Sequence, residues 1–306
     1  MKRRDFLKYN LHGALWLAAG SAGLFAPGTL FASDVPDLGV AYGGPGPATR
    51  AAVELLGGIS AFVKEGQRVV IKPNMSFANP PENATTTHPE VVRELVAMCM
   101  EAKASSVLVL DHPLQSHEMC LESSGIEAAC DAIRNDTVHA VADASLFAEA
   151  DFTEAVEMKG NLVMKEVLKA DVLIGAPVAK SHSGAGVSLT MKGMMGLVLN
   201  RSVMHSRYNL HQAIVDLNTF CKADLAVVDA TRVLTTNGPR GPGKVDNKNM
   251  VVASADCVAA DAYTVSACTW WGRKMRPDQV EHIRLAHKQG LGRMDVENLR
   301  VAEVTL

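Results

Sequence analysis

The chain has few aromatic residues (5%), no run of basic residues, and no C-x-x-C pair among its six cysteines. The first two shortages argue against nucleic acid as a partner, because base stacking and phosphate tracking need aromatic and basic surfaces. The third excludes ferredoxin-type cluster ligation and zinc-ribbon ligation from this chain's own motifs. The cysteines, Cys99, Cys120, Cys130, Cys221, Cys257 and Cys268, mostly fall in apolar helical context and read as small hydrophobes. A chain of 306 residues needs no disulfides to hold a core. There are no internal repeats and no low-complexity tracts. The apolar stretch 11–26 is too short and too interrupted by glycine for a convincing membrane span.

What the N-terminus does have is a paired arginine. Met1-Lys2-Arg3-Arg4-Asp5-Phe6-Leu7-Lys8 ahead of that apolar stretch looks like a twin-arginine export signal. The reading predicts residues 1–32 as signal, cleavage near Ala32, the twin-arginine translocase as a partner, and a periplasmic location. Residues 33–306 are then long enough for one large domain or two small ones.

Short apolar runs alternate with helix-period segments along the rest of the chain. Strands are expected at Leu38–Tyr42, 68–71, 106–110, 138–141, 171–175, 225–228, 250–253 and 299–304. Helices are expected at 48–56, from residue 87 to about 102, and at 119–133, 162–168, 209–221, 256–268 and 279–288. The pattern predicts an α/β fold with a largely parallel sheet and flanking helices. It is also read as two lobes, 33–175 and 176–306, with a pocket between them.

Ligand groups gather at the carboxyl ends of parallel strands, and the stretch 179–197, AKSHSGAGVSLTMKGMMGL, is the richest such place. Lys180 and His182 are expected at a strand exit, with Lys192 ten residues past His182 in a glycine- and methionine-rich segment. Lys72 and Asn74 open a long polar loop after an earlier strand. At that loop's far end Thr87 and Glu90 have the spacing of a capping box, which leaves His88 without a structural role. Asp111 and Asp229 each follow an apolar strand. The expected division of labour gives Lys72, Lys180 and Lys192 to carboxylate or phosphate groups. His88, His182 and His205 supply acid/base or metal-ligand nitrogens, with Asp111 and Asp229 as their partners. Catalytic candidates are therefore His88, Asp111, His182, Lys192 and Asp229, and His182 and His205 are the metal candidates. Cofactor- or ligand-binding candidates are Lys72, Asn74, Lys180, Gly193 and Gly241.

Several blocks together, VVIKPN (69–74), TTHPEVV (86–92), VLVLD (107–111), AKSH followed by TMKGMMG, AIVDL, VVDA with GPRGPG, and ADCVAADA, resemble the domain-of-unknown-function family 362. Many members of that family carry an appended cysteine cluster, so the resemblance implies an iron–sulfur association, although this chain lacks the appended motif. A fainter similarity is to the nickel-pincer lactate racemases, which place a histidine, a lysine ten residues on and a further histidine around their cofactor. His182, Lys192 and His205 stand in that relation, with His112 as a fourth position, while the racemase arginine-proline motif is replaced by Lys72-Pro73-Asn74. The resemblance implies a two-lobed α/β architecture and leaves a metal or iron–sulfur cofactor open.

Two functions fit these residues. One is a cell-envelope enzyme acting on an anionic small molecule. The other is a non-catalytic accessory or cofactor-binding protein serving a redox partner. Both share the export expectation, and this has a direct test. Replacing Arg3 and Arg4 together by lysine should leave the protein in the cytoplasm with its signal uncut. Cell fractionation checks it, and normal export of the double variant would contradict it.

Overall fold

Along the strand Arg68–Pro73 (β2) the side chains alternate between two cores. Val69 and Ile71 enter one hydrophobic cluster and Val70 the other. The same alternation holds on Val172–Ala176 (β7), where Val172 and Ile174 face one cluster and Leu173 the other. It holds again on Leu225–Leu234 (β10), with Leu225 and Val227 opposed to Ala226 and Val228. A period-2 pattern that is apolar on both faces requires a sheet covered on both sides. The helices supply those covers. Pro45–Glu54, Pro89–Glu101 and Ile126–Asp131 build one cluster, and Leu210–Phe220, Cys257–Ala267 and Glu281–Lys288 line the other.

The structure, a computed structural model, describes residues 35–306. The expected export signal lies outside these residues. Among them, no helix is long and apolar enough to cross a membrane. The main sheet has ten strands, and its principal path runs β12-β1-β11-β10-β7-β2-β3-β4. Here β1 is Leu38–Tyr42, β3 Ser106–Asp111, β4 Val138–Ala140, β11 Val245–Ser254 and β12 Val301–Thr305. From β10 through β7, β2 and β3 to β4 every pairing is parallel. On this path β11 alone runs antiparallel to its neighbours, β10 and β1. The expected α/β fold with its largely parallel sheet and flanking helices is present.

Three expectations need correction. The chain does not divide near residue 175, since Val35–Leu306 is one compact unit. Residue 175 lies within β7, which is hydrogen-bonded to β10 on one side and β2 on the other, so the ladder joins the segments expected as separate lobes. Second, the apolar run does not end in a loop at residue 179. After Pro177 the chain continues as Val178–His182 (β8), still beside β10, and turns back antiparallel into Gly186–Ser188 (β9). Lys180 and His182 therefore sit on a strand extension, where alternation fixes their directions better than a loop would. The segment 162–168 is also only partly helical. Gly160–Met164 (β6) pairs with Phe147–Asp151 (β5) as a separate hairpin before the helix Lys165–Lys169 begins.

The MKGMMG segment closes over the sheet. A short helix, Thr190–Gly193, passes into a 3₁₀ turn, Met194–Leu197, packed across the ends of β2 and β3. Gly196 is there because nothing larger fits. A Cβ on it would stand 2.1 Å from Asp111 Oδ1 and 2.5 Å from Lys72 Cε. Gly196→Ala should therefore destabilise the protein by about 1–3 kcal/mol through overpacking. A urea denaturation midpoint checks this, and an unchanged midpoint would show that the segment is not held against the pair.

Candidate functional site

The carboxyl ends of β2 and β3 bring Lys72 and Asp111 together, with Lys72 Nζ 3.0 Å from Asp111 Oδ1 and both side chains buried. A buried carboxylate is stable only if its oxygens are filled by donors. Asp111 Oδ2 accepts from the Met75 amide and the Ser76 hydroxyl, each at 2.9 Å. Its Oδ1 also accepts from the His112 amide at 2.9 Å. Lys72 additionally donates to the Pro73 carbonyl. Burial draws the Lys72 pKa down while Asp111 pulls it back up. All of Asp111's acceptor capacity is thus in use inside the protein.

Three further cations surround this pair, and none has a carboxylate bonded to it among the described residues. Lys180 is buried, donates to the Thr85 carbonyl at 2.6 Å and lies 5.6 Å from the Phe77 ring centroid. Burial is the main cause that pulls its pKa down to about 7, with Asp111 opposing and Lys72 and Lys192 adding to the fall. Arg201, half-buried on the short helix Arg201–Ser206, donates to the Pro113 carbonyl at 3.1 Å. Its pKa is lowered by burial and partly restored by Asp111. Lys192, half-buried on the turn Thr190–Gly193, makes no hydrogen bond or ion pair among the described residues. Burial brings its pKa down to about 8, and Arg201 and Lys72 add to the effect.

His182 completes the set as a donor. Its Nδ1 accepts from the amides of Gly184 at 3.1 Å and Ala185 at 3.0 Å. That arrangement puts the ring proton of the neutral imidazole on Nε2. Burial, reinforced by Lys192, His205, Lys180 and His282, holds its pKa down at about 3, so the neutral form persists at neutral pH. His205 stacks on it, with centroids 6.1 Å apart and planes 10° apart. The His205 pKa is lowered by burial, Lys192 and Arg201. A histidine whose Nδ1 is filled and whose Nε2 carries a proton has no lone pair for a metal, so His182 does not fit the metal role expected of it. No group of three His, Cys, Asp or Glu side chains suited to a metal occurs among the described residues.

The six cysteines are buried and none is in a disulfide among the described residues. Burial raises the thiols of Cys99, Cys130 and Cys268 to about 12.

The other expected site residues have structural work. His88, not Thr87, caps the helix Pro89–Glu101, with its Nδ1 accepting from the Glu90 amide at 3.1 Å. Thr87 instead ties β2 to β7. Its hydroxyl donates to the Ala176 carbonyl at 2.7 Å and accepts from the Asn74 amide at 2.8 Å. Asn74 Oδ1 accepts from the Val178 amide at 3.1 Å, fixing the start of β8. Asp229 lies inside β10, not at its end. Its oxygens are filled by Arg232, the His88 amide, and the amide and hydroxyl of Thr231, leaving it little freedom as a catalytic partner. Gly193 is buried beside Pro177 and Asn74. Gly241, at φ 68°, lets the loop 237–243 pass close to Thr85, the residue whose carbonyl holds Lys180. His112 is fixed through Nδ1 to the Val198 carbonyl at 3.2 Å.

Two important residues were missed. Asp261, on the helix Cys257–Ala267, accepts from the Thr190 amide at 2.8 Å and the Met191 amide at 2.9 Å. It thereby anchors the first turn of the segment bearing Lys192. Burial pushes its pKa up to about 7 against the pull of those two amides. Its signal was the block ADCVAADA, which offers no clue to a partner seventy positions away. Arg201 had no signal at all. An open cleft of about 550 Å³ lies beside the β5–β6 hairpin, lined by Glu149, Asp151, Lys159 and Asn200 among others, and none of the three lysines lines it.

A thylakoid-associated protein of Synechocystis sp. is 28% identical over 223 residues, covering 69% of this chain and 66% of that protein. The lactate racemase apoprotein of Thermoanaerobacterium thermosaccharolyticum has a TM-score of 0.44 at 14% identity, over 66% of this chain and 50% of that one. A structural-genomics protein of Thermotoga maritima has a TM-score of 0.36 at 12% identity, over 67% of this chain and 56% of that one. The matches thus span between half and about two thirds of the relatives' own lengths. The description "Domain of unknown function (DUF362)" matches residues 69–266, a span that contains Lys72, Asp111, Lys180, His182, Lys192, Arg201 and Asp261, and the chain belongs to this family.

Proposed function

We propose that this chain is an exported cell-envelope enzyme acting on an anionic small molecule, which it binds at the cluster of Lys72, Lys180, Lys192, Arg201 and His182. The observation that carries the reading is the ammonium of Lys192, which has no hydrogen-bond or ion-pair partner among the described residues. It stands among cations beside Asp111, a carboxylate already filled by Lys72 and three other donors. Groups that only donate, partly withdrawn from water, favour a negatively charged partner. The reading puts Lys192 and the Nε2–H of His182 on the ligand as charged and neutral donors. Lys180, with a pKa near 7, exists in both protonation states at neutral pH and so suits proton transfer to or from a bound anion.

Lys192→Ala should weaken binding of phosphate, sulfate or small carboxylates by about 1.5–3 kcal/mol, the scale of a charge-assisted hydrogen bond. Stability without ligand should change little, since the side chain holds no partner in place. Thermal-shift titrations of both proteins measure the two effects together. Equal stabilisation of wild type and variant by every anion would place binding elsewhere. Anion binding without turnover of any small acid would favour the accessory reading, in which the same site holds a ligand for a redox partner.

A further inference from the structure

Trp270 and Trp271 are adjacent and have opposite environments. Trp270 is fully buried, and its indole N–H donates to the Val265 carbonyl at 3.0 Å. Trp271 is 41% exposed, at the tip of a two-residue turn. The Trp270 amide donates to the Arg273 carbonyl at 2.9 Å, and the Arg273 amide donates back to the Trp270 carbonyl at 3.1 Å. Both central residues have positive φ, 49° at Trp271 and 78° at Gly272, as a type I′ turn requires. Asparagine and aspartate suit the first of these positions because their short polar side chains support the left-handed backbone. An indole has no such support to offer. Its strained presentation at an exposed tip is the kind of outlier that marks a functional surface.

The turn is fastened at its base, and basic residues gather around it. The Trp271 amide donates to the Thr235 carbonyl at 3.0 Å, and the Thr235 amide donates to the Lys244 carbonyl at 2.8 Å. Arg273, Lys274 and Lys244 are all exposed. Lys274 and Lys248, which lies further along β11, both act electrostatically on Cys268. Lys274 donates to the Ser266 and Ala267 carbonyls, and neither the Arg273 nor the Lys244 side chain has a partner among the described residues. Asp246 offsets one of these four charges. Arg276 is neutralised within its own segment by Asp278.

We infer that the Trp271 turn is a docking point for an anionic lipid surface, with the indole seated at headgroup level and Arg273, Lys274, Lys244 and Lys248 drawn to the lipid charges. An amphipathic ring flanked by basic residues has the composition that settles at such an interface. A convex two-residue tip does not offer the roughly 800 Å² per partner that a stable protein complex buries, so an acidic protein is the poorer occupant. Among the described residues no helix is long and apolar enough to cross a membrane, and attachment through this turn is peripheral and weakened by salt. The surface stands independently of the anion site.

The test is vesicle sedimentation with the chain from residue 33 onward, which keeps the whole compact unit Val35–Leu306 and leaves out the apolar stretch 11–26. Vesicles of phosphatidylcholine mixed with phosphatidylglycerol should carry the protein down at low ionic strength and release it at high ionic strength. Vesicles of phosphatidylcholine alone should carry down little. Trp271→Asn places a residue suited to the turn, so its melting temperature should equal or exceed that of the wild type. Its binding should nevertheless fall about tenfold, the effect of removing an indole's apolar surface from the interface. Arg273→Gln and Lys244→Gln should each weaken binding about fivefold. Equal pelleting of the wild type with neutral and anionic vesicles would overturn the inference, as would pelleting of Trp271→Asn equal to wild type. A lower melting temperature in Trp271→Asn would overturn it by showing that the indole belongs to the fold. Failure of the wild type to bind either vesicle would also overturn it and leave the tip to an acidic protein.

Discussion

The Lys72–Asp111 ion pair is the constraint on which the rest of the site depends. Two buried charges are tolerated only when their geometry is good and every remaining lone pair is filled. Here that condition recruits the Met75 amide, the Ser76 hydroxyl and the His112 amide to Asp111. It also requires a glycine at 196, since any side chain there would collide with both partners. The pair thus locks the loop after β2, the end of β3 and the MKGMMG turn into one arrangement. Because Asp111 is consumed internally, it cannot neutralise Lys180, Lys192 and Arg201 as well. The positive excess of the site follows from this allocation.

Other buried carboxylates work as backbone anchors. Asp216 accepts from the amides of Val156, Glu157 and Met158 and from Gln212, fixing the loop between β5 and β6. Asp229 joins β10 to the start of the helix at Pro89 through the His88 amide. Asp261 holds the first turn before Lys192, so the direction of that ammonium is set from a different helix. Lysine is flexible, and a precise site needs its supporting backbone fixed. Asp261 therefore positions the turn that bears Lys192.

Much of the fold was legible because strand alternation is a local signal. Val69–Ile71, the run before Pro177 and Leu225–Val228 declare buried parallel strands by composition alone, and Asp256 declares its helix cap. The lobe division failed for a complementary reason, since hydrogen-bonded neighbours such as β7 and β10 are distant in sequence and no local pattern records their pairing. Lys180 and His182 were found, but as loop residues, because polar side chains on a strand extension look like a strand's end. His88 and Thr87 exchanged roles, since both can cap a helix and only the position of the Ala176 carbonyl decides which hydroxyl or ring is free. Lys192 was legible from its glycine-rich setting. Arg201 and Asp261 were not, because their importance lies wholly in what the fold sets beside them.

The central claim is that an anion supplies the charge this cluster lacks, and proton linkage tests it most directly. Lys180 and Lys192 have pKa values near 7 and 8 because burial and neighbouring cations disfavour their charged forms. The groups facing them are Lys72, Arg201, Asp111, His182, His205 and His282. His182 and His282, held near 3, stay neutral throughout. A bound anion raises both lysine pKa values, so binding above pH 7 must take up protons, and affinity must fall as pH rises toward 9. Sulfate, whose own charge is constant over this range, can be titrated calorimetrically at pH 8 in buffers of different ionisation enthalpy. The account predicts a net proton uptake that shrinks toward zero at pH 6. Sulfate binding at pH 8 with no proton uptake, or binding that strengthens with pH, would contradict it.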